Sequence, residues 1–329
     1  MTALQAVAIH LPPRSVPIEE VGERLGLTAR QTVLFRRFHG LDRIRLDPGG
    51  TVENLLRGAV SALTQLRETA HRVRYVVYAT SLPVQVPYPG NPLRTVCREF
   101  GLEQALSFKV SHHACASGLL AIDVAGRLLA ADAAASVDAG DRATGRGGGP
   151  ERDDEPLALV LAGEKTFTRD AQLAPEISLF SEGAAACLVR AGGTRDRVLS
   201  YRTALRGEYD GRLAEDPALL TGFNRAYPEL LEGVIREALA AADTRLEDLK
   251  LILPHNANRI SWRSLSRRTG FPLERILLEN VPEYGHCFAA DAFINLHTAL
   301  DQGLLEPGDR YLIAAAGIGA AFSAMVIEH

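Results

Sequence analysis

The 329-residue sequence predicts a layered α/β fold made of two copies of one unit. Apolar, β-branched segments alternate along the chain with segments of helical period. The order of those segments recurs at an offset of roughly 175 positions, far longer than a solenoid repeat. The length suits one large domain or two closely packed halves.

AVAIHLP is expected as a first strand and PIEEVGERLG as a short helix. TVENLLRGAVSALTQLRETAHR carries apolar residues at spacings of three and four and is expected as one long helix, followed by the buried strand VRYVVYATSL. PELLEGVIREALAAADTRLED and LKLILPHNAN repeat that helix-strand order. LEQALSFKVSHHACASGLLAIDVA then answers LERILLENVPEYGHCFAADAFINLHTAL, so that Cys115 and the His286–Cys287 pair fall in equivalent strand-to-helix turns. A pseudo-twofold arrangement brings both turns to one central site. Residues 134–156, rich in Gly, Asp and Arg without apolar period, are expected as a mobile surface loop. Their glycines do not stand between a strand and a helix in the order a phosphate cradle needs.

Hydrophobic residues make up 47% and charged residues 23%, the balance of an ordinary globular protein. A net charge of −4 gives no reason to expect nucleic acid or an anionic membrane as partner. Lysine occurs only at 109, 165 and 250, with arginine elsewhere, which reflects genome composition rather than chemistry. Cys97, Cys115, Cys187 and Cys287 form no CxxC pair, which disfavours a disulfide framework or a zinc site and suits a reducing compartment. MTALQAVAIHLPPRSV lacks the pattern of a signal peptide, and no run is expected to reach the ~20 apolar residues of a membrane span, so a cytoplasmic protein is expected.

Small residues flank the cysteine in HACASG, letting backbone approach a substrate, and the helix that follows aims its N-terminal amides at the sulfur. A buried core cysteine fits the same stretch, so the stretch alone leaves Cys115 open between the two. His255, just past a strand in LPHNANRISW, and His286, in the turn that mirrors Cys115, supply the basic imidazoles that covalent acyl transfer requires. His112 and His113 are expected to be structural, and Trp262 to serve packing.

HACASG, PHNAN, YGHCFAAD and the C-terminal LIAAAGIGAAFSAMV resemble the β-ketoacyl-acyl carrier protein synthase III group of the thiolase superfamily, in order and over nearly the whole chain. The resemblance implies a thiolase-like fold of five α-β-α-β-α layers. Residues 1–190 would form the half carrying the nucleophile, and residues 191–329 the half carrying both histidines. It implies Cys115 as nucleophile, His255 as catalytic histidine with Asn258 as its neighbour, and the backbone N–H groups of Cys115 and Gly317 as oxyanion hole. SLFSEGAAACLV resembles the family strand FGDGAGAAVL, with Glu182 where Asp is usual.

Two departures from the family matter. His286 stands at the position of the family's asparagine, where an imidazole can also take a proton and act as base towards a hydroxyl or amine. Asp291, one helical turn on, is expected to orient it. At the positions of the Trp and Arg that clamp the adenine of coenzyme A stand Leu34 and Phe38. An acyl carrier protein is therefore the expected donor, read by Arg36 and Arg37, although those arginines also suit a merely solvated helix face.

The expected protein is an acyltransferase that moves an acyl group through acyl-Cys115 to a small-molecule hydroxyl, less readily an amine, in polyketide-type natural-product biosynthesis. Its donor would be an acyl-phosphopantetheine thioester on carrier protein or coenzyme A. No permanently bound cofactor, metal, nucleic acid or membrane is expected, and the resemblance implies a homodimer. Two alternatives stand beside it: a decarboxylative synthase forming a C–C bond with malonyl thioester, and a non-catalytic subunit that binds carrier protein.

Overall fold

The computed structural model describes residues 1–141, 155–174, 176–209 and 216–329. Nine strands form its main sheet: β1 (Thr2–His10), β2 (Val73–Ala79), β3 (Leu106–Val110), β4 (Leu157–Glu164), β5 (Gly183–Ala191), β6 (Arg197–Leu205), β7 (Leu249–Pro254), β8 (Arg310–Gly317) and β9 (Ala321–Glu328). The helices that matter here are α1 (Ile18–Arg24), α2 (Val52–Ala62), α3 (Pro92–Glu99), α4 (Ser117–Asp141), α5 (Pro217–Ala241), α6 (Arg259–Thr269) and α7 (Asp291–Asp301).

The duplication is written in the strand order, β7-β8-β9-β6-β1-β5-β4-β2-β3. In the first half β2 is parallel to β4 and to β3, while β4–β5 and β5–β1 are antiparallel. The second half repeats the scheme with β7–β8 parallel and β8–β9 and β9–β6 antiparallel. The halves join edge to edge where Thr2 pairs with Val198 and Ala3 with Arg197. The counterpart of β3 is reduced to one parallel bridge, Ile252 to Ile276, because the chain at Leu273–Arg275 coils into a 3-10 turn and then into the short helix Asn280–Tyr284.

Three apolar clusters separate the layers. Val76, Tyr78 and Leu161 face α2 and α3 on one outside, through Leu56 and Val96. Leu312, Phe322 and Val326 face α5 and α6 on the other, through Ile235 and Trp262. Between the sheets, Leu119 and Ile122 of α4 meet Phe293 and Leu296 of α7, with Val160 on one side and Met325 on the other. This is a five-layer α-β-α-β-α, thiolase-like architecture. Burial of the middle layer explains α4, whose Ala114–Ala135 stretch has the length and hydropathy of a membrane span. That corrects the expectation that no run reaches such a length: the apolarity serves a helix facing a sheet on either side.

Two further expectations change. The helix foreseen over TVENLLRGAVSALTQLRETAHR ends at Ala62, where Leu63 leaves helical geometry, and two short turns follow that bury Leu63 and Leu66. Of the expected loop at 134–156, residues 134–141 continue α4, and 142–154 lie outside the described residues.

Candidate active site

Cys115 sits in a 3-10 turn, Ala114–Ala116, between β3 and α4. His112 (φ 69°) and Ala114 (φ 45°) hold left-handed backbone on either side of His113, a strained arrangement that presents the next residue at a fixed angle. The mirror turn, Phe288–Ala290, precedes α7 and follows His286. The two turns touch, as the duplication predicts.

His286 Nε2 lies 3.2 Å from Cys115 Sγ, and His286 Nδ1 donates to Asp291 Oδ2 at 2.5 Å. Asp291 is itself fully engaged, accepting the N–H of Asn256 at 2.6 Å and that of Cys287 at 2.7 Å. Burial opposes charge on His286, but Asp291 and then Cys115 outweigh it and raise its pKa to about 10. The imidazole therefore holds its second proton at neutral pH.

His255 behaves in the opposite way. Burial, reinforced by the neighbouring His286 charge, lowers its pKa to about 3, and the ring is neutral. Its Nε2 lies 3.2 Å from the Tyr227 hydroxyl, its Nδ1 has no partner among the described residues, and Trp262 Nε1 donates to its carbonyl at 3.0 Å. The two imidazole rings are 5.8 Å apart. His286, rather than His255, is thus the imidazole hydrogen-bonded to the sulfur.

Gly317, at the end of β8, is a point of close approach between the two halves. A Cβ there would lie 2.6 Å from Ala114 Cβ and from the His113 carbonyl, and 2.9 Å from the Cys115 nitrogen. Only glycine permits this approach, which sets the backbones of Cys115 and Gly317 side by side. Asn258 caps α6, accepting from Ser261 N at 2.9 Å, and donates to the Ile177 carbonyl at 3.2 Å; it shapes the cavity wall rather than touching His255 through a hydrogen bond. Glu182 is buried against Lys165 at 2.8 Å and accepts from the Asp47 N–H at 2.7 Å, which anchors the loop before α2.

A cavity of about 270 Å³ opens over Cys115, walled by Phe180, Tyr227, His255, His286 and Ile318. From the Leu34–His39 segment only His39 lines it, and burial lowers that imidazole's pKa to about 4. Arg36 is paired with Glu19 and with Asp42, the latter at 3.4 Å, and Arg37 points to solvent; neither lines the cavity. This corrects the expected donor entrance. Arg36 is neutralised by its own neighbours, whereas Arg263 and Arg267, one turn apart on α6, line an adjoining groove with Phe38. Ile260 belongs to both the groove and the cavity. Neither arginine has an ion-pair partner among the described residues. The sequence reading missed them, though their spacing on a helix was visible. His112 and His113 do not line the cavity, and Trp262 is fully buried as packing.

The fold and this cysteine-histidine site define a thiolase-like protein. Residues 239–329 match the C-terminal family profile of 3-oxoacyl-[acyl-carrier-protein] synthase III. A β-ketoacyl-[acyl-carrier-protein] synthase III of Aquifex aeolicus is 29% identical over 159 residues, a match spanning 46% of this chain and only 50% of that relative. One from Acidiphilium cryptum is 26% identical over 99% of both chains. Among solved structures, the acyltransferase ChlB3 superposes with a TM-score of 0.81 at 19% identity, covering 99% of this chain and 97% of its own. The chain is thus similar to β-ketoacyl-acyl carrier protein synthase III proteins, and its fold is thiolase-like.

Proposed function

We propose that the protein is an acyltransferase that carries an acyl group from a phosphopantetheine thioester, through acyl-Cys115, to the hydroxyl of a small molecule. The observation that carries this reading is the hydrogen-bonded line Cys115–His286–Asp291, with the second imidazole neutral and engaged by Tyr227. An imidazolium beside a thiol favours the thiolate, the reactive form.

The thiolate attacks the thioester carbonyl, and the negative charge moves to the carbonyl oxygen beside the Cys115 and Gly317 amides. Such a donor is worth about 2.7–4 kcal/mol. Collapse breaks the original C–S bond, and His286 gives its Nε2 proton to the departing pantetheine sulfur. His286 is now neutral, its Nδ1–H held by Asp291. The acceptor oxygen attacks the acyl carbon, its proton passes to His286, and Cys115 leaves as thiolate. The starting imidazolium–thiolate pair is restored, and the acyl group has become an ester. No proton source beyond the acceptor is needed.

For the donor we favour a carrier protein, because Arg263 and Arg267, with no ion-pair partner among the described residues, line the groove that adjoins the cavity and suit an acidic surface and a phosphate. We further propose a homodimer through the exposed edge strand β3, whose Leu106 is 61% exposed; Tyr88, 97% exposed, stands in the loop before α3.

One observation favours a second reading, decarboxylative C–C bond formation. Both imidazoles line the cavity, and a neutral His255 can donate a hydrogen bond to a carbonyl. Intact mass spectrometry after exposure to acyl thioesters tests the shared first step: a mass increase on Cys115, absent in Cys115→Ala, is expected. Chase with hydroxyl acceptors should then release ester without carbon dioxide. Carbon dioxide from a malonyl donor would favour condensation instead, and absence of any adduct would leave only a binding role.

A further inference from the structure

Decarboxylation of a malonyl thioester breaks the bond to its carboxylate, releases carbon dioxide and leaves the electron pair as an enolate. Negative charge collects on the thioester oxygen, which needs a hydrogen-bond donor. The enolate carbon would then attack the acyl carbon, and Cys115 would leave as thiolate. Resting on the acyl-Cys115 reading, His286 cannot be that donor. At this stage its Nε2 has given its proton to the departing thiol, and its Nδ1–H is held by Asp291. Of the two imidazoles, only His255 remains.

His255 has no ring nitrogen to spare. Its Nδ1 is buried, and its Nε2 lies 3.2 Å from the Tyr227 hydroxyl. If the phenol donates, Nε2 carries no proton; if Nε2 donates, its one proton is already used. Either way, a second carbonyl gains a bond from His255 only by displacing Tyr227. Tyr227 is held against displacement. It stands just before Pro228 inside α5, and its ring meets Phe223 and Phe322 edge-on, at centroid separations of 5.6 and 5.3 Å. Ser261, also on the cavity wall, gives the phenol a second polar neighbour. The Tyr227 side chain itself lines the cavity over Cys115, and burial keeps its hydroxyl protonated.

We propose that Tyr227 is a specificity-determining residue that commits this site to transfer: by occupying His255 Nε2, it denies a malonyl carbonyl the donor its enolate needs. The acyl-enzyme is left to acceptors that bring their own proton, which neutral His286 takes. The second substrate is therefore a hydroxyl-bearing small molecule, and malonyl thioesters are excluded as chain extenders.

The test starts from Cys115 loaded with acetyl, butyryl or octanoyl pantetheine, whichever gives an adduct by intact mass, and rates are taken per loaded site. Malonyl pantetheine is then added, and carbon dioxide and β-ketoacyl product are measured. Wild type is expected to give both only at the background of Cys115→Ala. In Tyr227→Phe, which removes one hydroxyl and keeps the ring, both should rise together by roughly tenfold or more, the scale of one hydrogen bond to a charged group. Tyr227→Met, which fills the space without a hydroxyl, should act in the same direction and carries the test if the phenylalanine variant does not fold. Folded variants that stay at background overturn the role of Tyr227 and leave acyl transfer standing. Wild type that condenses malonyl pantetheine overturns that role as well and favours a synthase. Failure of every thioester to load wild type sinks the acyl-transfer reading and this inference with it.

Discussion

Asp291 accepts His286 Nδ1–H at 2.5 Å with one oxygen and the Cys287 N–H at 2.7 Å with the other. The carboxylate thereby fixes the imidazole's tautomer, its orientation and its charge at once. Asp291→Asn keeps the size but places an amide NH2 against groups that already donate. In a serine triad the equivalent change costs roughly 10⁴ in turnover through the wrong tautomer. Acyl loading of Asp291→Asn should fall by about 10²–10⁴-fold, measured as the rate of Cys115 adduct formation. A loss under about threefold would mean that Asp291 only holds the turn.

The direction of the His286 shift sets a pH signature. Its pKa is raised to about 10, so the proton stays on the ring as pH rises through neutrality and leaves only near that value. An imidazolium held beside a sulfur favours the reactive thiolate form. Alkylation of Cys115 by iodoacetamide should therefore be nearly flat across neutral and mildly alkaline pH. An ordinary thiol instead gains about tenfold per pH unit until its pKa near 8.5. In Asp291→Asn, with the first raising charge removed, that ordinary rise should return. A wild-type profile climbing steeply from pH 7 to 9 would contradict the ion pair.

The two histidines should separate in kinetics. His286 is hydrogen-bonded to the sulfur and His255 to Tyr227, so His286→Asn should slow loading and transfer together, by on the order of 10²–10⁴-fold. His255→Ala should spare loading, since its ring is hydrogen-bonded to Tyr227 rather than to the sulfur. Stopped-flow release of the donor thiol, compared with ester formation, gives both numbers. Loading that survives His286→Asn intact would restore a role confined to the acceptor.

Why sequence reached some of this and not the rest is physical. The turn at Cys115 and its mirror at His286 were legible because a duplicated fold repeats its strand-to-helix signals, although the two residues are 171 positions apart. Which histidine faces the sulfur was not legible, because it depends on how the two turns meet across the middle layer. Tyr227 was invisible for a similar reason: it lies inside a long amphipathic helix whose face is decided by tertiary packing. The asparagine network behind Asp291, in which Asn295 binds Asn256 and Asn280, likewise joins residues from separate elements. The pairing that neutralises Arg36 unites residues 17 positions apart, and no local pattern announces it.

Gly317→Ala isolates the contact between the halves. The added methyl would fall 2.6 Å from Ala114 Cβ and the His113 carbonyl, so the turn and the end of β8 must separate. Overpacking of this kind costs about 1–3 kcal/mol of stability. Displacing one amide from the carbonyl oxygen should lower loading by roughly 10²–10³-fold. Thermal unfolding and loading rate, measured on the same sample, distinguish the two effects. A variant with a lowered melting temperature but wild-type loading would remove Gly317 from the oxyanion site.

The edge strand β3 leaves its outer ladder open, and Leu106 and Tyr88 expose apolar surface that a soluble monomer would ordinarily cover or charge. Pairing of β3 with its counterpart in a second copy would satisfy the ladder and cover Leu106. It would also extend the layer that carries the nucleophile turn, since the chain passes from β3 directly into the Cys115 turn. Wild type should therefore sediment as a dimer. Leu106→Asp combined with Tyr88→Asp should shift it towards monomer by placing like charges face to face, an arrangement that disfavours pairing. Because β3 leads into the nucleophile turn, loading should weaken as the dimer dissociates on dilution. A wild-type protein that sediments as monomer at micromolar concentration, or a double variant that remains dimeric, would place the interface elsewhere.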